Sequence, residues 1–201
     1  MQTFESLLDD LDHTLREYNM AAYENLLPPL PDAEIDENLM QLGIEDENVK
    51  SLFQWKGGVR DENGYFMMKY GVLLTFSSIK GSVEFNNAHE AKYSSKLIPL
   101  ISDNGEDMLL FNTNPGPHYG KLYLFSVPML LIEEPVSYYD SLYSMVQTTI
   151  DAYKEKAYMH DDSAMLDMDE DKFESIAKKY NKVSVYWKYI DSDLPDDYYE
   201  I

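Results

Sequence analysis

LPPLPDAEIDENLMQLGIEDENVKSLFQWKGG, residues 27 to 58, is the stretch that decides the fold. The prolines at its start prevent a preceding helix from continuing, and Asp32 is placed to cap a short helix that Gly43 ends. Glu45 or Asp46 then opens a further helix with an apolar side. We expect this helix to end at Gly57 and Gly58, where a left-handed residue costs glycine little.

Along the chain, the spacing of apolar residues changes from a helical period to a strand period and then back to a helical one. Residues 4–18 form an amphipathic helix capped by Thr3, and Ser137 with Asp140 predicts a capped helix over 137–157. Residues 169–180 predict another helix. Strands are predicted from runs rich in aromatic and branched residues, at 65–68, 70–77, 81–85, 108–111, 121–127 and 183–190.

These elements predict an α+β fold. A central, mainly antiparallel sheet is flanked by N-terminal helices and a C-terminal helix, with an extra helix and strand at the C-terminus. The runs 108–111 and 121–127 flank a breaker-rich loop and predict an antiparallel pair. We divide the chain into a domain of residues 1–158 and an extension of residues 159–201, which comprises a linker, helix, strand and acidic tail.

The strongest compositional feature is the negative charge. The 201 residues hold 37 acidic and 16 basic side chains, so the formal net charge is −21. Phosphates of nucleic acid and of anionic lipid would be repelled, so we expect no nucleic-acid partner and no membrane. Residues 1–60 carry thirteen acids against four bases, and residues 137–201 carry fifteen against seven. A basic protein is therefore the expected partner.

The absence of cysteine removes disulfides, thiolate nucleophiles and cysteine zinc sites. The N-terminus has acids where a secretory signal needs a basic segment, and the longest apolar run, residues 127–132, is too short to span a bilayer. We expect a soluble, cytoplasmic protein.

No pattern in the chain is typical of a catalytic or cofactor site. The four histidines are scattered, and the acid-rich stretch from Asp161 to Asp171 lacks the glycine and the final glutamate of an EF-hand loop. GxSxG, GxxxxGK and GxGxxG are all missing. Close carboxylate pairs suited to glycoside hydrolysis stay possible, but 37 acids make such pairs uninformative. We expect no enzyme activity, no metal and no cofactor.

Four motifs in order resemble the SUKH superfamily, which includes the Smi/Knr-type yeast cell-wall assembly regulators and bacterial toxin-immunity proteins. The first is a Leu-Pro followed by an "eI…e..lG" pattern, and the second is a helix that ends in an aromatic residue and a glycine turn. The third is "Pi" followed by "gGD", which stands before a strand, and the fourth is a final helix at 136–153. The matching residues are Leu27, Pro28, Glu34, Ile35, Leu42, Gly43, Leu52, Phe53, Trp55, Gly57, Gly58, Pro99, Leu100, Gly105, Glu106 and Asp107.

The likeness covers residues 26–157, and the last forty residues match nothing in the family pattern. It implies a non-enzymatic binding domain, either an immunity protein that neutralises a cognate toxin such as a nuclease, or an adaptor like the yeast regulators. Acids in loops, with nearby aromatic anchors, are the expected contacts. The predicted partner-binding residues are Asp46, Glu47, Trp55, Asp61, Glu62, Asp103, Glu106, Asp107 and Tyr119.

Overall fold

Four helices open the chain in the computed structural model, which describes residues 2–60, 65–67, 71–88, 92–103, 107–126, 132–160 and 166–190. They are α1 (Phe4–Tyr18), α2 (Met20–Asn25), α3 (Asp32–Leu42) and α4 (Glu47–Trp55). Thr3 caps α1 as predicted, and of the two residues expected to open α4, Glu45 and Asp46, it is Asp46 that caps the helix. Gly43 ends α3 in the left-handed conformation. The cap position of α3 is Pro31, so Asp32 is its first helical residue.

A five-stranded antiparallel sheet forms the centre. Its strands are β1 (Val72–Leu73), β2 (Leu97–Ser102), β3 (Met108–Asn112), β4 (Leu122–Ser126) and β5 (Ile132–Tyr139), in that order across the sheet. Between β1 and β2 the chain forms α5 (Phe76–Ala88). The predicted pairing of 108–111 with 121–127 is confirmed by the β3–β4 register, in which Leu109 faces Leu124. Every described residue of β4 is buried, as expected for a central strand.

The rest of the chain adds three helices and a small hairpin. They are α6 (Leu142–Lys154), β6 (Tyr158–His160), β7 (Leu166–Met168), α7 (Glu170–Tyr180) and α8 (Val185–Tyr189). Asp169 caps α7. Of the residues predicted to face inward, Phe173, Ile176 and Ala177 are buried and Tyr180 is half-buried. The α+β fold class is therefore confirmed.

One apolar core joins the helices to one face of the sheet. Leu11 of α1, Phe53 of α4, Leu109 of β3 and Tyr153 of α6 all belong to it. A smaller cluster of Leu97, Leu110, Tyr123 and Phe125 is separate from it. The boundary at residue 158 stays a prediction, but Phe173 and Trp187 beyond it pack into the main core with the residues before it.

Three sequence predictions about the middle of the chain were wrong. The run 81–85 lies in α5, not in a strand, because Thr75 accepts the Ser78 N–H and starts a helix whose buried face holds Phe76 and Ile79. Of the described residues 71–77 in the predicted strand 70–77, only Val72 and Leu73 are in a strand, and residues 65–67 are in none. The helix α4 ends at Trp55 with extended Lys56, so Gly57 and Gly58 do not cap it.

Three predictions about the C-terminal part were also wrong. Ser137 lies in β5, and the capping box belongs to Ser141 and Ser144 instead. Part of the predicted linker forms the β6–β7 hairpin. The predicted strand 183–190 is the short helix α8, in which Trp187 is buried while Val183 before it is 61% exposed. The predicted acidic tail, residues 191–201, lies outside the described residues.

Candidate protein-binding surface

Asp46 and Glu47 lie at the start of α4. Asp46 Oδ1 accepts the backbone N–H groups of Asn48 at 2.9 Å and of Val49 at 3.1 Å, so its carboxylate caps the helix. Glu47 is exposed in the first helical turn. Both charges are favourable there because the N-terminus of a helix carries partial positive charge. Of the two, Glu47 is the freer to contact another protein.

Tyr119, in the loop between β3 and β4, contacts the chain just before α4. Its hydroxyl donates to the backbone oxygen of Glu45 at 2.7 Å, and its ring meets Phe111 edge-on at 5.9 Å. Burial, followed by the charges of Asp46 and Glu45, raises the pKa of the Tyr119 hydroxyl. The structure therefore brings three predicted contact residues together, Asp46, Glu47 and Tyr119.

Trp55 lies at the other end of α4, eight residues and about 12 Å along the helix from Glu47. It is half-buried, and Lys56 Nζ lies 5.7 Å from its ring centroid. Lys56 and Arg16 both pair with the carboxylate of Asp12, at 3.2 and 2.8 Å. Trp55 thus lies beside a lysine that is already paired with a carboxylate, not among unpaired acids.

Asp103 and Asp107 belong to a different end of the molecule. They flank the β2–β3 connection, whereas Tyr119 follows β3 at its far end, about 14 Å away along the strand. Asp107 is 1% exposed, so its carboxylate does not face a partner in this conformation. Asp61, Glu62 and Glu106 lie outside the described residues. The described predicted residues therefore do not form one face.

The structure places two of the predicted residues, Asp46 and Glu47, in a larger acidic surface whose other members the prediction did not include. Asp36 and Asp32 of α3 are bonded to α4 through Lys50 and Gln54. We call the acids of α3 and of the start of α4 the α3–α4 acidic surface: Asp32, Glu34, Asp36, Glu37, Glu45, Asp46 and Glu47. All but Asp46 are exposed. The prediction placed the contacts on acids in loops, whereas four of these acids lie on the helix α3. The sequence does contain a pattern that could have indicated this surface: two short helices in residues 27–58, joined by a short connection. Because a short connection packs α3 beside α4, the acids of both helices come close together.

Lys50 shows that these acids share one electrostatic environment. Its ammonium group binds Asp36 Oδ1 at 2.6 Å, and Gln54 beside it donates to Asp32 at 2.8 Å. The hydrogen bond to Asp36, with smaller contributions from the charges of Asp36, Asp32 and Glu47, raises the pKa of Lys50. Lys50 thus stands among several carboxylates, and a second lysine, Lys80, donates to Gln41, which in turn donates to Glu37. The seven acids outnumber these two lysines, so the surface keeps a negative charge.

Neither metal ligation nor a membrane span is seen in the part of the chain that the structure describes. No group of three or more His, Asp or Glu side chains there could hold a metal ion. No helix there is both long and apolar enough to cross a bilayer.

Comparison with models of known families and with curated proteins found no match.

Proposed function

We propose that this chain is a non-enzymatic binding protein that holds a basic protein partner on its α3–α4 acidic surface. The observation that carries the proposal is the position of Lys50, whose one positive charge is shared among Asp32, Asp36 and Glu47. A patch of one sign speeds encounter with a partner of the opposite sign and disfavours acidic competitors.

The partner we propose is a toxin domain with a basic cleft, such as a nuclease, so that the chain acts as an immunity protein. Nuclease clefts are shaped and charged for phosphate, and exposed carboxylates on a rigid helix pair can occupy such a cleft in place of nucleic acid. The resemblance to the SUKH superfamily supports the same role. Tyr119 supplies an aromatic side chain held by Glu45 at the border of the surface.

An adaptor that uses both acidic ends of the chain is the alternative. In the described C-terminal part, however, lysines lie beside the acids: Lys172 pairs with Asp169, Lys178 with Glu174 and Lys179 with Asp151. These local pairs reduce the negative field of that end. The balance of charge therefore favours the N-terminal helices as the binding surface.

The test is to produce this chain in the same cells as the toxin encoded beside its gene, and to measure whether the toxin is inhibited and how tightly the two proteins bind. The variant Glu45→Lys/Glu47→Lys reverses two exposed charges of the surface, and Glu155→Lys/Asp171→Lys reverses two exposed charges elsewhere. We expect roughly tenfold or greater loss of affinity in the first variant, since like charges opposed at an interface cost several kcal/mol. Equal loss in both variants, or no binding by the unaltered chain, would contradict the proposal.

A further inference from the structure

Contacts on three of its sides hold the helix α3 in place. Ile35, on its inner side, is buried in the main core. Asp36 binds Lys50 of α4 at 2.6 Å, and Gln41 accepts a hydrogen bond from Lys80 of α5. Because an α-helix turns by about 100° per residue, Asp36 and Gln41 lie on opposite flanks of Ile35. The fourth side of α3 therefore points away from the core and from both neighbouring helices.

Ala33, Glu37 and Met40 form this outward side, since residues spaced by four and then three positions share one face of a helix. All three are exposed, and they extend over about 10 Å of the helix. Met40 is 75% exposed, the largest value among the large apolar side chains in the part of the chain that the structure describes. An exposed apolar side chain alone indicates no partner, so the charges around Met40 decide what this side can bind.

The charged side chains of α3 itself are all negative. The eleven residues of the helix include neither lysine nor arginine but hold four acids, Asp32, Glu34, Asp36 and Glu37. Its last turn, which holds Met40, has no basic side chain, although the C-terminal end of a helix carries partial negative charge that a cation stabilises. A segment that covers Met40 therefore meets acids along the helix and a helix end that favours positive charge.

The side chain of Met40 suits a contact with another protein. A methionine side chain is unbranched and flexible, so it packs on apolar groups of varied shape. Covering it removes apolar area from water at any ionic strength, whereas the attraction of the surrounding carboxylates for cations weakens as salt rises. The apolar and the electrostatic contributions can therefore be measured separately.

We propose that the outward side of α3 binds a lysine- or arginine-rich segment of the partner protein, and that one apolar side chain of that segment packs on Met40. This inference rests on the function proposed above and adds how the surface distinguishes among basic proteins. Negative charge attracts any basic chain, whereas the contact with Met40 favours those that carry an apolar residue among their cations.

The experiment uses two lysine-rich peptides that differ at one central position, which is leucine in one and serine in the other. Their affinities are measured for the full chain, for Met40→Gln and for the matched control Met20→Gln, at a methionine of α2 that is 49% exposed. Glutamine keeps the length of the side chain and nearly the helix propensity of methionine, so both variants should keep their fold. Methyl NMR of ¹³C-labelled methionine reports which methionine each peptide covers.

We expect the leucine peptide to bind the unaltered chain roughly threefold to tenfold more tightly than the serine peptide, because packing on Met40 covers part of the leucine side chain. Met40→Gln should lose this preference and still bind the serine peptide, whereas Met20→Gln should keep it. The methyl signal of Met40 should shift with the leucine peptide, and that of Met20 should not.

Three results would overturn the inference about Met40 while leaving a basic partner on the acidic surface: equal affinity for the two peptides, a leucine preference that Met40→Gln retains, or a methyl shift at another methionine instead of Met40. If neither peptide bound the unaltered chain at low salt, the proposed function would fail and this inference with it.

Discussion

The hydroxyl of Tyr153 accepts a hydrogen bond from Nδ2 of Asn19 at 2.9 Å, although the two residues lie 134 positions apart. The same hydroxyl donates to the backbone oxygen of Phe66 at 2.9 Å, and Asn19 Nδ2 also donates to that of Tyr65. One buried network therefore ties the α1–α2 junction to α6 and to residues 65–66. Burial strongly raises the pKa of the Tyr153 hydroxyl, so it stays protonated and keeps both bonds.

Replacing Tyr153 by phenylalanine should therefore destabilise the fold. The change leaves buried polar groups of Asn19 and Phe66 with one fewer partner, which costs about 1–3 kcal/mol. Urea denaturation would measure this loss. The matched control is Tyr143→Phe, at a half-buried tyrosine of the same helix, for which we expect a much smaller loss of stability. Equal losses in the two variants would show that the buried hydrogen bonds of Tyr153 add no stability.

Lys50→Gln should strengthen the field of the α3–α4 acidic surface. Its ion pair with Asp36 lies at the surface, where such pairs contribute little net stability, so we expect the fold to be nearly as stable as before. Association with a lysine-rich peptide, followed by stopped-flow fluorescence, should become faster at low salt and converge with the unaltered chain at high salt. Lys154→Gln, at the exposed last residue of α6, is the control, and an equal acceleration there would mean that only net charge matters.

Asp12→Asn should cost stability at neutral pH but not in acid. Burial disfavours ionisation of Asp12, but the hydrogen bonds and charges of Arg16 and Lys56 outweigh it and lower the pKa of the carboxyl below its ordinary 3.8. The stability from this carboxylate is present above that unfolded value and is lost as pH falls through the folded pKa. Urea denaturation between neutral pH and pH 3 should show the difference from the unaltered chain shrinking below about pH 4.

Asp140→Asn should show the opposite dependence. Burial, the largest influence, raises the pKa of the Asp140 carboxyl above its ordinary 3.8, although the Val183 N–H and the charge of Lys121 oppose this. The stability from this group is therefore greatest below the unfolded pKa and is lost as pH rises through the folded one. The variant keeps an oxygen for the Val183 N–H, so we expect it to gain stability relative to the unaltered chain as pH rises from about 4. A difference that does not vary with pH would refute this.

Gly58→Ala should be far more harmful than Gly43→Ala. Both glycines have positive φ, at +119° and +67°, but only at Gly58 would an added Cβ lie 2.8 Å from Thr75 Cγ2 and 3.0 Å from its backbone nitrogen. Gly43 has open space, so alanine there costs about 1 kcal/mol of backbone strain. At Gly58 the contact adds to this strain, and we expect a loss larger by at least about 1 kcal/mol in thermal or urea unfolding.

The elements that were predicted well are those whose patterns are local. Thr3, Asp46 and Asp169 cap helices through side-chain bonds that span two or three residues, so their positions can be read directly. The breaker-rich loop between β3 and β4 likewise predicts a hairpin from adjacent residues. Among the candidate contacts, the grouping of Asp46 with Glu47 follows from their place in the chain.

In the C-terminal part, the mistaken elements are those in which neighbours distant in sequence overrode a weak local pattern. Residues 183–190 alternate like a strand, but hydrogen bonds from Ser184 and Trp187 to β5 hold them as a short helix. Ser137 resembles a helix cap, yet its backbone pairs with β4 opposite Tyr123. The predicted acidic face failed to assemble from the described residues because successive connections of an antiparallel sheet lie at opposite ends.

By itself, the amino-acid sequence determined the charge, the helix boundaries set by caps and prolines, and the α+β class, because each depends on composition or on residues within one or two turns of one another. Only the tertiary structure decided which acids share a surface, that α3 lies beside α4 around Lys50, and that the C-terminal residues cover β5. Those features depend on contacts between distant segments, whose free energy comes from burial and pairing that no local pattern encodes.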